Sequence, residues 1–119
     1  RSVAVVGCLP GDGKTLVAVN LALSLSQDTR GTVLLVDLDL RHPAVHERLG
    51  LPVRAGIGEY LEGRAQSEDA LICVDNQRCA VLPCLAPIMG ASELLRGRAV
   101  EALASELAAR YADRIVLYD

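Results

Sequence analysis

The opening residues Val3-Ala4-Val5-Val6 form an apolar run of strand length, closed by Gly7. No polar residue alternates with the apolar ones, so the pattern predicts a strand covered on both faces. From Lys14 to about Gln27 the period becomes helical. Asn20, Ser24 and Gln27 fall on one narrow polar stripe of an otherwise apolar cylinder. Such a helix has to be covered on most of its sides, as when it packs on a sheet. Arg30-Gly31 ends it, and Thr32 to Val36 forms a second uninterrupted apolar strand that runs into Asp37. Strand, helix and strand in this order make a βαβ unit, with a parallel sheet and a right-handed crossover.

Between Asp37 and Asn76 the periodicity breaks up. Pro43, Gly50, Pro52, Gly56, Gly58 and Gly63 divide the segment, leaving short helical pieces at Ala44–Leu49 and Ile57–Leu61. Cys79 to Pro83 reads as a short third strand. A helical stretch starts at Ser92 and runs to Tyr111 with a break near Gly97. Val100, Leu103, Ala104, Leu107 and Tyr111 share one apolar face there, and Glu106 and Arg110 are spaced to pair on the other. Ile115 to Tyr118 is a last apolar strand, followed by Asp119. The expected fold class is α/β: a three-layer αβα sandwich with a mostly parallel sheet, truncated after its last strand.

Composition narrows the function classes. The chain has 119 residues, 51% of them apolar, and a formal charge of −3, which fits one globular domain rather than a disordered segment. Mild acidity argues against nucleic acid as a partner, because phosphate-backbone binding needs a concentrated basic face. With no Trp or Phe and three Tyr, the core has to be aliphatic. No apolar run approaches the roughly 20 residues that cross a bilayer, and no signal segment opens the chain. The expected location is cytoplasmic, at the inner face of the cell membrane through a partner or a segment outside this chain. Cys8, Cys73, Cys79 and Cys84 show no C-x-x-C pair and no zinc-finger spacing, so they read as reduced thiols.

The chemistry concentrates in the turn after the first strand, Cys8-Leu9-Pro10-Gly11-Asp12-Gly13-Lys14-Thr15. A glycine-rich turn from strand to helix, closed by Lys-Thr, is the context of a P-loop. Gly11 and Gly13 permit backbone angles that turn successive N–H groups inward onto phosphate oxygens, and the helix N-terminus adds partial positive charge. Lys14 would bridge the β- and γ-phosphates and the Thr15 hydroxyl would ligate Mg²⁺. Pro10, Gly11, Asp12, Gly13, Lys14, Thr15 and Leu16 are therefore the candidate nucleotide-binding residues. The match departs from the strict pattern at Cys8, where glycine is expected; Gly7 stands one place early. Lys14 is also the single lysine beside eleven arginines, at a place where a compact ammonium suits a tight loop better than a planar guanidinium.

Acids complete the arrangement. Asp37 and Asp39 follow the second predicted strand and Asp119 the last one. Ligands of an open parallel sheet bind beyond the carboxyl ends of its strands, so all three carboxylates are expected on the edge that carries the loop. There they would hold magnesium through water, Asp39 and Asp119 with Thr15 being the metal candidates. They would also accept a proton from an attacking hydroxyl, the catalytic candidates being Lys14, Asp37 and Asp39. Arg41 would either neutralise phosphate or pair with Asp39. His42 and His46 read as surface residues of a short helix.

Leu9-Pro10-Gly11-Asp12-Gly13-Lys14-Thr15, Asn20-Leu21-Ala22 and Leu34-Leu35-Val36-Asp37-Leu38-Asp39-Leu40-Arg41-His42-Pro43 together resemble the bacterial tyrosine kinases of polysaccharide export. So do Ser92-Glu93-Leu94-Leu95 and the ending Arg110 to Asp119, the last most like the branch associated with exosortase gene clusters. The resemblance implies an ATP- and Mg²⁺-dependent P-loop tyrosine autokinase that controls exopolysaccharide synthesis or export beside a membrane polysaccharide co-polymerase. It also implies self-association as a ring or dimer. Lys14 and Thr15 match the family's Walker A pair. Asp37 and Asp39 match its second acidic motif, with Asp37 as the residue that orients or deprotonates the acceptor hydroxyl, and Asp119 matches the Walker B acid. Related ATPases of the MinD/ParA type carry a further lysine early in the loop, where this chain has Leu9. Leu16 departs from the second hydroxyl residue usual after the Walker A threonine, which keeps an ATP-dependent assembly switch open as the alternative. Acceptor tyrosines are expected after residue 119. Residues 1–119 are expected to be an incomplete piece of one kinase domain, ending at the Walker B strand.

Overall fold

The computed structural model describes residues 1–9, 11–28, 30–52, 54–74, 78–110 and 113–119. Its strands are β1 (Ser2–Ala4), β2 (Thr32–Val36), β3 (Ile72–Val74), β4 (Cys79–Leu82) and β5 (Arg114–Tyr118). The helices are α1 (Lys14–Asp28), α2 (Val45–Leu49), α3 (Ile57–Leu61), α4 (Ser67–Ala70), α5 (Ala91–Arg96) and α6 (Arg98–Arg110). The five strands form one sheet in the order β1-β5-β2-β4-β3. All neighbours are parallel except β3, which runs antiparallel to β4 with Cys73 opposite Ala80.

The uninterrupted apolar run of β2 has its cause in this order. Successive side chains point to opposite faces, and both faces are covered. Leu34 and Val36 join Leu82, Val116, Leu103 and Leu107 in one buried cluster, beneath α6. Val33 and Leu35 join Val81, Leu117, Ala18, Val19 and Ala22 in the other, beneath α1. The result is the expected αβα sandwich. The break at Gly97 separates α5 from α6, Leu103 and Leu107 are buried, and Arg110 reaches Glu106 at 3.6 Å across one helical turn. Among the described residues no helix is long and apolar enough to cross a membrane.

Three expectations need correction. The first strand is shorter than Val3–Val6 and is exposed along its length, because β1 lies at the sheet edge with β5 as its one partner. The helix α1 is covered on one side only: Ala18, Val19, Ala22 and Ser26 are buried, while Leu16 and Val17 stay exposed where the helix leaves the loop. Its polar stripe is solvent-facing as expected. Finally, β3 and α4 lie inside the segment that showed no periodicity; three and four residues are too short to display one. The tyrosine at position 111 lies outside the described residues.

Leu34 is fully buried at the centre of the sheet. Its replacement by alanine is expected to cost about 3 kcal/mol in urea unfolding, combining lost transfer energy and a residual cavity. Asn20→Ala, on the exposed stripe of α1, should stay within about 0.5 kcal/mol. Equal losses at the two positions would refute this assignment of the core.

Candidate nucleotide site

The parallel pairing of β2 and β5 sets Val36 beside Tyr118. The next residue on each strand is an aspartate, so Asp37 and Asp119 emerge side by side. Backbone bonds from Asp119 N to Val36 O (2.9 Å) and from Leu38 N to Asp119 O (3.0 Å) carry the pairing past the strand ends. The loop from β1 to α1 arrives at the same edge. Gly11 and Gly13 have φ of 77° and 90°, the left-handed region that favours glycine. The next residues, Lys14 and Thr15, open α1, whose first bond runs from Val17 N to Gly13 O at 3.0 Å.

Four of the expected residues meet there. The Lys14 ammonium donates to Asp39 Oδ2 at 3.0 Å and lies 3.3 Å from Asp119 Oδ1. The Thr15 hydroxyl donates to Asp119 Oδ2 at 2.8 Å. Burial pulls the Lys14 pKa down, but the hydrogen bond to Asp39 and the charge of Asp119 outweigh it and leave it raised. Asp39 shows the converse. Its partial burial raises it, the bond from Lys14 lowers it further, and the balance is a depressed pKa.

Asp37 has a different place from the one expected. It is fully buried, and its carboxylate does not line the cleft. Oδ1 accepts the Asp39 N–H at 3.1 Å, and Oδ2 accepts those of Ala44 and Val45 at 3.2 and 3.3 Å. It therefore ties the end of β2 to the start of α2, and the carboxylate presented to the cleft is that of Asp39. Burial, opposed by those backbone bonds and reinforced by nearby Asp119, pushes the Asp37 pKa up to about 7.

The loop's own acid occupies it. Asp12 accepts the Lys14 N–H at 3.2 Å through Oδ1 and the Leu9 N–H at 3.4 Å through Oδ2. Its carboxylate lies against Gly7, where a Cβ would overlap it. The glycine that stands one place early in the motif thus leaves the room that Asp12 uses. Pro10 lies outside the described residues. Leu16 and Cys8 are exposed and line the cleft.

That cleft has a volume of about 710 Å³. Loop residues 7–9, 11–16 and Asp39 form part of its wall, and Arg41, His42, Ala44 and Arg48 form another. Arg41 does not pair with Asp39: its Nη2 donates to Ser92 Oγ at 2.6 Å, and its guanidinium lines the cleft. Arg48 carried no signal in the sequence, because it reaches the cleft only through the fold-back of α2. His42 lines the cleft before α2 begins, whereas His46 is half-buried on α2.

The donors suit a hard, oxygen-seeking cation. Asp119 Oδ1 is buried without an aligned hydrogen bond, the Lys14 ammonium being within ion-pair range only. Among the described residues no cluster of three or more His, Cys, Asp or Glu could cage a metal alone. One or two carboxylates and a hydroxyl, with phosphate oxygens completing the shell, are what magnesium takes.

The raised pKa of Asp37 carries a pH dependence. A carboxyl that titrates near 7 when folded and near 4 when unfolded binds more protons in the folded state between those values. Its stabilising contribution is complete below about pH 4 and is lost as pH rises through 7. In nucleotide- and magnesium-free protein, the wild type should lose roughly 4 kcal/mol relative to Asp37→Asn between pH 4 and pH 8. Parallel urea-unfolding profiles for the two proteins would contradict this.

No protein-family profile matches the chain. Among curated proteins it is 32% identical, over all 119 residues, to the tyrosine-protein kinase YwqD of Bacillus subtilis, of which it covers 49%. It is 37% identical over 84 residues, or 70% of its length, to the succinoglycan biosynthesis transport protein ExoP of Rhizobium meliloti, covering 10% of that protein. The chain thus spans about half or less of these relatives. Among solved structures, the VpsO kinase domain superposes with a TM-score of 0.87 at 32% identity, over 99% of this chain and 58% of that one. The septum site-determining protein MinD of Pyrococcus horikoshii, complexed with Mg-ADP, gives 0.80 at 28% identity, over 98% and 47%. In sequence along its full length and in fold, the chain is similar to bacterial tyrosine-protein kinases, and MinD-type proteins share its architecture.

Proposed function

We propose that the cleft binds ATP with Mg²⁺, and that the protein carrying this domain is a tyrosine autokinase regulating exopolysaccharide synthesis and export. One observation carries the reading: contacts of 2.8 to 3.3 Å link Asp39 to Lys14, Lys14 to Asp119 and Asp119 to Thr15 at the mouth of a glycine-turned loop. The names of YwqD and ExoP support the activity and the polysaccharide context, and the Mg-ADP complex of MinD supports the ligand.

On this reading the loop amides of 11–15 and the Lys14 ammonium hold the phosphates and neutralise charge as it develops. Thr15 and, through water, Asp39 and Asp119 would hold magnesium, which would supply charge neutralisation at the phosphates. Asp39 faces the cleft and accepts the proton of a tyrosine hydroxyl; Asp37 fixes the backbone of Asp39 from behind. Catalysis is then mainly positioning and charge stabilisation. Tyr60 donates its hydroxyl to Glu106 at 2.7 Å and Tyr118 is half-buried in β5, so neither is presented to the cleft as an acceptor. The domain works at the inner face of the membrane beside a polysaccharide co-polymerase, as a ring or dimer.

A nucleotide-driven assembly switch is the second reading, favoured by Leu16 in place of a hydroxyl residue and by the likeness to MinD. The two separate cleanly. In full-length protein given ATP and magnesium, Lys14→Met should cut phosphotyrosine by about 10²-fold or more with an unchanged circular dichroism spectrum. Wild-type protein that binds ATP yet forms no phosphotyrosine would leave the switch standing and end the kinase reading.

A further inference from the structure

We propose that Arg41 and Arg48 select the acceptor: they form a cationic wall that favours tyrosines flanked by acidic residues. The proposal rests on the kinase reading above.

The charges of the cleft are unevenly satisfied. Lys14 is held by Asp39 and Asp119, and the Asp12 carboxylate by two backbone N–H groups. Arg41 and Arg48 are exposed, line the same cleft, and have no carboxylate partner among the described residues. The side-chain bond of Arg41 goes to the neutral Ser92 hydroxyl, which orients the guanidinium and leaves its charge uncompensated. Cations gathered in a cleft without their own anions raise the local concentration of negatively charged ligands.

Position separates this wall from the phosphate site. The amides and ammonium suited to phosphate belong to residues 11–15, whereas Arg41 and Arg48 belong to the chain after β2. Asp39 stands between them, two residues before Arg41. The His42 N–H donates to Asp39 Oδ1 at 3.2 Å, so residues 39–42 are held as one turn. A tyrosine whose hydroxyl reaches Asp39 therefore lays its neighbouring residues along Arg41 and along Arg48 on α2. Guanidinium groups recognise carboxylates through paired N–H donors, so glutamate or aspartate near the tyrosine is the matching chemistry.

The test compares two peptides in the full-length kinase, identical except that the tyrosine is flanked by Glu in one and by Gln in the other. Wild type should use the Glu peptide with about 10-fold higher kcat/KM, the preference shrinking as salt is added. Arg48→Ala should raise KM for the Glu peptide about 5-fold while KM for ATP stays put, and Arg48→Lys should recover part of the loss. Equal use of both peptides by wild type overturns the proposal, as does autophosphorylation without use of the Glu peptide. A rise in KM for ATP that matches the peptide effect also overturns it, because the wall would then serve the nucleotide. No phosphotyrosine of any kind removes the kinase reading itself.

Discussion

The in-register parallel pairing of β2 and β5 is the constraint on which the site depends. Each strand is apolar to its end, each is followed at once by an aspartate, and Val36 lies opposite Tyr118. Because both strands are buried on both faces, a slip of one residue would turn core side chains toward the wrong layer. The same register that protects the core therefore brings Asp37 and Asp119 level. Lys14 and Thr15 then need only α1 packed on the sheet to meet Asp119. The distance between the chemical groups is set by packing some way behind them.

That pairing also separates acids of like composition into different states. Asp37 turns inward, saturates its oxygens with backbone N–H groups and is pushed toward neutrality by burial. Asp39, two residues later, turns outward to Lys14 and is held ionised. The D-x-D spacing would place both carboxylates on one side of an extended strand, but the chain has left the strand by then. The N–H groups of Asp39, Ala44 and Val45 draw the first carboxylate under the turn.

Much of this was legible in the amino-acid order, and the boundary is physical. Thr32–Val36 declared itself because a strand covered on both faces has no polar residue to hide. The loop declared itself because its glycines are required by local backbone geometry and its lysine follows them at the spacing that suits phosphate. The break at Gly97 and the 106–110 pair are equally local. Exposure of β1 was not legible, since an apolar run says nothing of how many neighbours a strand has. The bond from Arg41 to Ser92 depends on residues distant in the chain, and the inward turn of Asp37 and the arrival of Arg48 depend on the fold-back of residues 44–48, which no periodicity announces. The three-residue β3 is defined by its partner alone.

The Asp12 carboxylate has a consequence for traffic through the loop. It is tethered two residues from the Lys14 N–H that it occupies, so any phosphate taking that amide must evict it, and it is at hand to return when the phosphate departs. Eviction costs little because Asp12 is exposed and regains water on swinging outward. The amide at the foot of the helix therefore has an anion within reach, and a departing phosphate would not strand it bare. On the nucleotide-binding proposal, exchange at this loop would be the substitution of one anion by another, with the protein supplying its own replacement.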